Sequence, residues 1–287
     1  MGKKYWLLTT EHLKDRLWFK DEDDFKVGMN YVAVLSATRP ARILSFVLMS
    51  NHVHFILEST QEDAKNFINE FKTIYSKYFR RKYLSKELLR ENKIDIKEVS
   101  TFDEGLERAI AYVQMNSVAA NICLHPSGYP WGTGDCYFNN SPATGTFVGD
   151  LTGRAVSRMI HSKISLPSNY LVSEKGYIHP SSYVSIDLVE SVFKTPKRMA
   201  FFLNNSSKAK RNEDLPSIPS FRDQTIALGL SELCLSIYGK KFITELNPEQ
   251  TSEILKQLRY RFSADPNQLA RVTGISYENI SKFLDRC

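Results

Sequence analysis

The chain has 287 residues, 42% hydrophobic and 24% charged, which is ordinary for a soluble globular protein with room for one large domain or two smaller ones. Thirty-eight Lys and Arg against 32 Asp and Glu give a formal charge of +6, a modest tilt toward a polyanionic partner. Cys123, Cys136, Cys234 and Cys287 are widely spaced, which argues against a zinc ribbon or a secreted disulfide framework. No apolar run reaches the length of a membrane span, and the stretch after Lys3 and Lys4 is too short for a signal-peptide core. The expected setting is a reducing cytoplasm, with no membrane partner.

In chain order, residues 5–10 are aromatic and apolar and predict a first strand. Asp21 to Asp24 offer a helix start for an apolar-periodic segment that runs to Thr38, before Pro40 stops it. Residues 43–49 and 52–58 predict two strands joined by the turn residues Ser50 and Asn51, hence a β-hairpin. Residues two apart on a strand share a face, so His52 and His54 stand side by side, about 7 Å apart at the backbone. Two imidazoles so placed can close on one cation. Taken alone, such a pair is more often two hydrogen-bonded histidines on a half-buried strand.

Residues 62–83 carry Phe67, Ile68, Phe71, Ile74, Tyr75, Tyr78 and Phe79 at helical spacing, ending in Arg80-Arg81-Lys82. Cations there suit the helix dipole; the same Tyr- and Arg-rich end could also contact a nucleic-acid backbone. A half-exposed strand is expected over 94–99 and a helix over 102–124, on which Tyr112 and Asn116 lie one above the other. The order β-α-β-β-α-β-α predicts an α+β fold with a ferredoxin-like antiparallel sheet covered by helices. Residues 139–153 look like a boundary, and 204–220 like a linker or long loop.

Near the C-terminus, residues 248–262 predict a helix. Asp265-Pro266 start another, and Gly274-Ile275-Ser276 lead into a third with Ile280 and Phe283. The placement of Ala270 and Gly274 suggests a helix-turn-helix near 265–285, although any helical hairpin with a glycine cap reads similarly. Tyr277, Glu278, Asn279 and Lys282 are the residues that would face a DNA groove.

Three segments together resemble a known family. Met49-Ser50-Asn51-His52-Val53-His54 is similar to the histidine–hydrophobic–histidine (HUH) motif of single-tyrosine transposases, above all the REP-associated tyrosine transposases. Residues 112–121, Tyr-Val-Gln-Met-Asn-Ser-Val-Ala-Ala-Asn, resemble that family's tyrosine segment, and 125–131, His-Pro-Ser-Gly-Tyr-Pro-Trp, resemble the stretch that follows it. Ser50 and Ser117 stand where the family usually has Pro, and Gln114 where it usually has His. The resemblance does not extend clearly past residue 139.

The resemblance implies a HUH catalytic domain over 1–138; the residue patterns that follow suggest an unassigned middle region and linker over 139–220 and a helical domain with the helix-turn-helix over 221–287. The resemblance further implies a DNA transesterase in which Tyr112 attacks a phosphodiester of single-stranded or hairpin DNA, forming a 5′-phosphotyrosine link. His52 and His54 would hold a divalent metal, Mg²⁺ or Mn²⁺, with the side-chain oxygen of Asn116 completing the site. REP-like hairpin DNA is the implied substrate. Relatives act either as monomers or as homodimers that exchange the tyrosine helix, so both states are open. The alternative from another class is a non-catalytic, sequence-specific DNA-binding regulator working through the helix-turn-helix.

Overall fold

The computed structural model describes residues 2–14, 16–86, 91–141, 143–207 and 221–285. Strand β1 (Lys4–Thr10) alternates buried and less buried residues along its length. Helix α1 (Glu22–Thr38) is opened by Asp21, whose carboxylate accepts from the Asp24 N–H, with three acids in the first turn facing the helix dipole. It ends where Arg39, the residue before Pro40, turns extended. Strands β2 (Arg42–Met49) and β3 (His52–Ser59) are joined by the two-residue turn at Ser50 and Asn51. Thr60 caps helix α2 (Gln61–Tyr83), and the cations Arg80, Arg81 and Lys82 occupy its last turn. Strand β4 (Ile94–Val99) follows.

These four strands form one sheet in the order β2-β3-β1-β4, and each neighbouring pair is antiparallel. With one helix before the hairpin and one after it, this is the ferredoxin-like β-α-β-β-α-β arrangement expected from the sequence. The sheet has two unlike faces. Val53, Phe55 and Leu57 point toward α1 and α2, where the Phe55 ring meets Phe67 and Phe71 at 5.4 and 5.7 Å. His52 and His54 point the other way, toward helix α3 (Gly105–Gln114).

The single helix expected over 102–124 is shorter and interrupted. It starts at Gly105 and breaks at Met115 before the single turn α4 (Asn116–Ala119). The physical cause sits at Asn116, whose amide Nδ2 donates to the carbonyls of Tyr112 and Val113 at 2.8 and 3.3 Å, competing with backbone partners.

The exposed edge of β2 is closed by residues 131–133. The Leu48 N–H donates to the Trp131 carbonyl, and the Thr133 N–H to that of Phe46, at 2.8 and 3.1 Å. Gly132 permits this approach, since a Cβ there would lie 2.7 Å from the Phe46 carbonyl oxygen. The end of the segment that resembles the family after Tyr112 therefore bridges to the edge of β2.

The region after 139 continues the same core. Strands β5 (Gly145–Phe147) and β6 (Leu171–Ser173) and helices α5 (Gly153–Met159), α6 (Ile186–Phe193) and α7 (Pro196–Asn204) pack with the sheet in one apolar cluster that reaches Leu203. Asn30 of α1 clips this region on, donating to the Met159 carbonyl and accepting from the Ile178 N–H. Most of the expected linker, 208–220, and Cys287 lie outside the described residues.

Helices α8 (Asp223–Tyr238), α9 (Pro248–Phe262), α10 (Pro266–Thr273) and α11 (Tyr277–Leu284) form the helical C-terminal region, with a second core around Ile226, Ile254, Leu258, Leu269 and Ile280. Gly274 closes α10 at a positive φ of 74°, a conformation that favours glycine, and Ser276 caps α11. Among the described residues, no helix is long and apolar enough to cross a membrane.

Candidate active site

His52 and His54 lie at the start of β3, 6% and 0% exposed, with ring centroids 4.8 Å apart. Pairing of β1 with β3 sets Thr9 opposite His54, and the Thr9 hydroxyl shares a hydrogen bond of 2.9 Å with His54 Nδ1. Just beyond the end of β1 comes His12. Its ring stacks on His52 at 3.6 Å and meets His54 edge-on at 6.2 Å. One nitrogen from each of the three imidazoles falls within 4.8 Å of the others.

Sequence reading missed His12. The signal that could have found it is a histidine two residues past a strand that neighbours the histidine strand, but that adjacency is a property of sheet topology.

The partners of these rings suit a metal ligand set. Asn51 Nδ2 donates to the Leu13 carbonyl at 2.7 Å, which fixes the amide with Oδ1 toward His52 Nδ1 at 2.8 Å. An acceptor there makes Nδ1 the protonated nitrogen of His52, so that Nε2 is the nitrogen able to bind a cation. Nδ1 of His54 is likewise engaged, by the Thr9 hydroxyl, a group that can donate or accept. Three imidazoles within reach of one another, two of them held through Nδ1 by hydrogen bonds, are a donor set that a divalent cation fits.

Tyr112 lies on α3 above this cluster, half-buried, its ring edge-on to His54 at 5.6 Å. Burial pushes the phenol pKa up; Lys97 of β4 pulls it down and Asp95 pushes it up. Lys97 and Asp95 pair at 2.8 Å, and neither was singled out from sequence. Lys97 stands opposite Leu7 and Asp95 opposite Thr9 in the β1–β4 register.

The other expected site residues are distributed as follows. Asn116 is 4% exposed and uses its amide donors on α3, next to Tyr112. Gln114, where the resembled motif usually has His, donates to the hydroxyls of Ser45 and Thr133 at 2.8 and 2.6 Å. Lys82 ties α2 to α1 through Asp21 and Asp24, at 2.6 and 2.8 Å. It and the exposed Arg80 and Arg81 end α2, which covers the sheet face opposite the histidines. Tyr277, Asn279 and Lys282 are exposed on α11, while Ile280 between them fills the helical core. Ser50, where the motif usually has Pro, donates to the Asp223 carboxylate of α8 at 2.5 Å.

Residues 13–94 match the family model described as transposase IS200 like. The matched stretch includes the histidine pair and stops short of Tyr112, in keeping with the resemblance read from the motifs. Among solved structures, a REP-associated tyrosine transposase bound to a REP hairpin is similar at 16% identity and a TM-score of 0.38, over 46% of this chain and 78% of that one. No curated protein matches the chain.

Proposed function

We propose that this protein cuts and rejoins single-stranded DNA by metal-dependent transesterification. The observation that carries the reading is the convergence of His12, His52 and His54 beneath a tyrosine whose ring lies 5.6 Å from His54. The three histidines would hold a divalent cation, Mg²⁺ or Mn²⁺, with the Asn116 side-chain oxygen as a further donor. That cation, when bound, acts as a Lewis acid that polarises the scissile phosphate.

Tyr112 is the nucleophile. Its phenolate oxygen attacks phosphorus, the bond from phosphorus to the 3′-oxygen breaks, and that oxygen leaves with the electron pair and takes up a proton. The products are a 5′-phosphotyrosine and a free 3′-hydroxyl. The reverse attack, by a 3′-hydroxyl on the phosphotyrosine, rejoins a strand with no external energy source. Burial opposes ionisation of Tyr112, so its activation depends on positive charge at the site, to which Lys97 contributes.

DNA with a hairpin flanked by single strands is the proposed substrate class. Residues Tyr277, Asn279 and Lys282 on α11, with Arg80 and Arg81 as a second strip, are proposed phosphate or groove contacts.

The test mixes purified protein with end-labelled hairpin DNA and Mn²⁺, followed by denaturing electrophoresis. A protein–DNA band that survives denaturation and vanishes in Tyr112→Phe is expected. Cleaved DNA without that band would make water the nucleophile. Tight binding with no cleavage on any flanked hairpin would favour a DNA-binding regulator.

A further inference from the structure

The helical C-terminal region touches the rest of the molecule at a chemically specific place. Asp223, the first residue of α8, is 3% exposed although it carries a carboxylate. Its Oδ2 accepts from Ser50 Oγ at 2.5 Å and Arg271 Nε at 2.9 Å. Its Oδ1 accepts from an Arg271 terminal nitrogen and from Gln268 Nε2, both at 3.2 Å. A buried carboxylate is tolerated only when so bonded, and here one of its donors comes from the other core. The next residue, Gln224, donates from Nε2 to the Phe19 carbonyl at 2.7 Å.

Ser50 and Asn51 form the turn that presents His52. The Ser50 carbonyl accepts from the N–H groups of Trp18 and Phe19 at 2.7 and 3.1 Å. Asn51 exchanges bonds with Leu13 through its carbonyl and its Nδ2, while its Oδ1 holds His52 Nδ1. One turn thus connects the segment after His12, the ring orientation of His52, and the first residues of α8.

We propose that Asp223 and Gln224 are positioning residues for the metal site, so that the C-terminal region braces the catalytic turn in addition to any DNA contact it makes. This rests on the metal reading above. Asp223 fixes Ser50, and Gln224 fixes the backbone at Phe19 to which the same turn is bonded. Together they restrain the two segments that bring His12 and His52 face to face. Loosening the brace widens the spread of ligand positions without removing a ligand, and so weakens cation binding.

The test uses the full chain with Ser50→Ala, which leaves the Asp223–Arg271 pair intact, and Ser50→Thr, which keeps a hydroxyl. Mn²⁺ affinity of the DNA-free protein is read by electron paramagnetic resonance, with thermal unfolding measured alongside. Ser50→Ala is expected to weaken Mn²⁺ binding several-fold, up to about tenfold, the lower edge for groups that orient a ligand. Ser50→Thr is expected to retain affinity. Unchanged affinity in Ser50→Ala, or an equal loss in both variants, overturns the brace. Amide exchange at Trp18 and Phe19 gives an arm that needs no metal: it is expected to quicken in Ser50→Ala and not in Ser50→Thr. Exchange unchanged in Ser50→Ala also overturns the proposal. If the wild-type chain takes up no Mn²⁺, the metal reading itself fails, and the exchange arm alone decides the brace.

Discussion

The two faces of the four-stranded sheet are made from alternating residues of the same strands, yet they bear different loads. Toward α1 and α2, Phe55, Phe67 and Phe71 are all fully buried and meet ring against ring. Toward α3, the face carries His52, His54 and Thr9, with Tyr112 above them and Lys97 and Asp95 at the β4 side. Under the proposed function, neighbouring positions such as His54 and Phe55 serve separate tasks, chemistry and cohesion. Period-two alternation lets a strand do both without one compromising the other. Substitutions on the two faces should separate cleanly into loss of activity and loss of stability.

The largest expected effect is on the histidine face. Tyr112→Phe should lower covalent cleavage by at least about three orders of magnitude, the range seen when a nucleophile is removed. Chemical denaturation and DNA binding should be nearly unchanged; a large drop in stability would show that the two faces are not separable here. On the opposite face Phe71→Ala should cost about 3–5 kcal/mol of unfolding free energy, through lost burial and the cavity left behind. The variant that remains folded should still cleave, which single-turnover assays at low temperature would reveal.

His12→Ala comes next. Removing one of three imidazoles should weaken Mn²⁺ binding by at least about tenfold, since even groups that only orient a ligand are worth that much. Calorimetric titration of the variant at wild-type affinity would remove His12 from the site. On α11, Lys282→Ala should weaken DNA binding evenly across sequences and reduce the slope of log affinity against log salt by about one. An unchanged slope would show that the exposed face of α11 does not meet phosphate.

The smallest effect belongs to the face without histidines, where Lys82 joins Asp21 and Asp24. Burial pushes the Asp21 carboxyl up, but Lys82, the Asp24 N–H and Tyr83 outweigh it and hold its pKa below the ordinary value. Its contribution is thus present above the usual carboxylate range, near about pH 4, and fades as pH falls through the folded value. Asp21→Asn keeps an acceptor for the helix cap. It should lower stability at pH 7 by less than about 1 kcal/mol, because the pair is partly exposed. The difference from wild type should shrink on acidification; a difference that grows would reverse the assignment.

Much of this design is written locally. The hairpin follows from two apolar runs around Ser50-Asn51, the shared face of His52 and His54 from strand periodicity, and the boundaries of α1 from Asp21 and Pro40. The ferredoxin-like order follows from the alternation of those elements. The helix beyond Tyr112 was less legible, because its break depends on one side chain, Asn116, choosing backbone carbonyls over solvent. The region after 139 carries no strong period of its own, and its place against the sheet is set by contacts such as Asn30 with Met159 and Ile178.

The sequence by itself determined which strand would carry two histidines and that they would face one way, since both are consequences of neighbouring residues and a fixed backbone repeat. The third histidine was decided only in three dimensions. His12 is forty residues from His52, and only the antiparallel pairing of β1 with β3 brings the segment that follows β1 over the start of β3. The bond from Ser50 to Asp223 spans 173 positions in the chain. Interactions at such separations leave no periodic trace, because they depend on how whole elements stack, which no local pattern encodes.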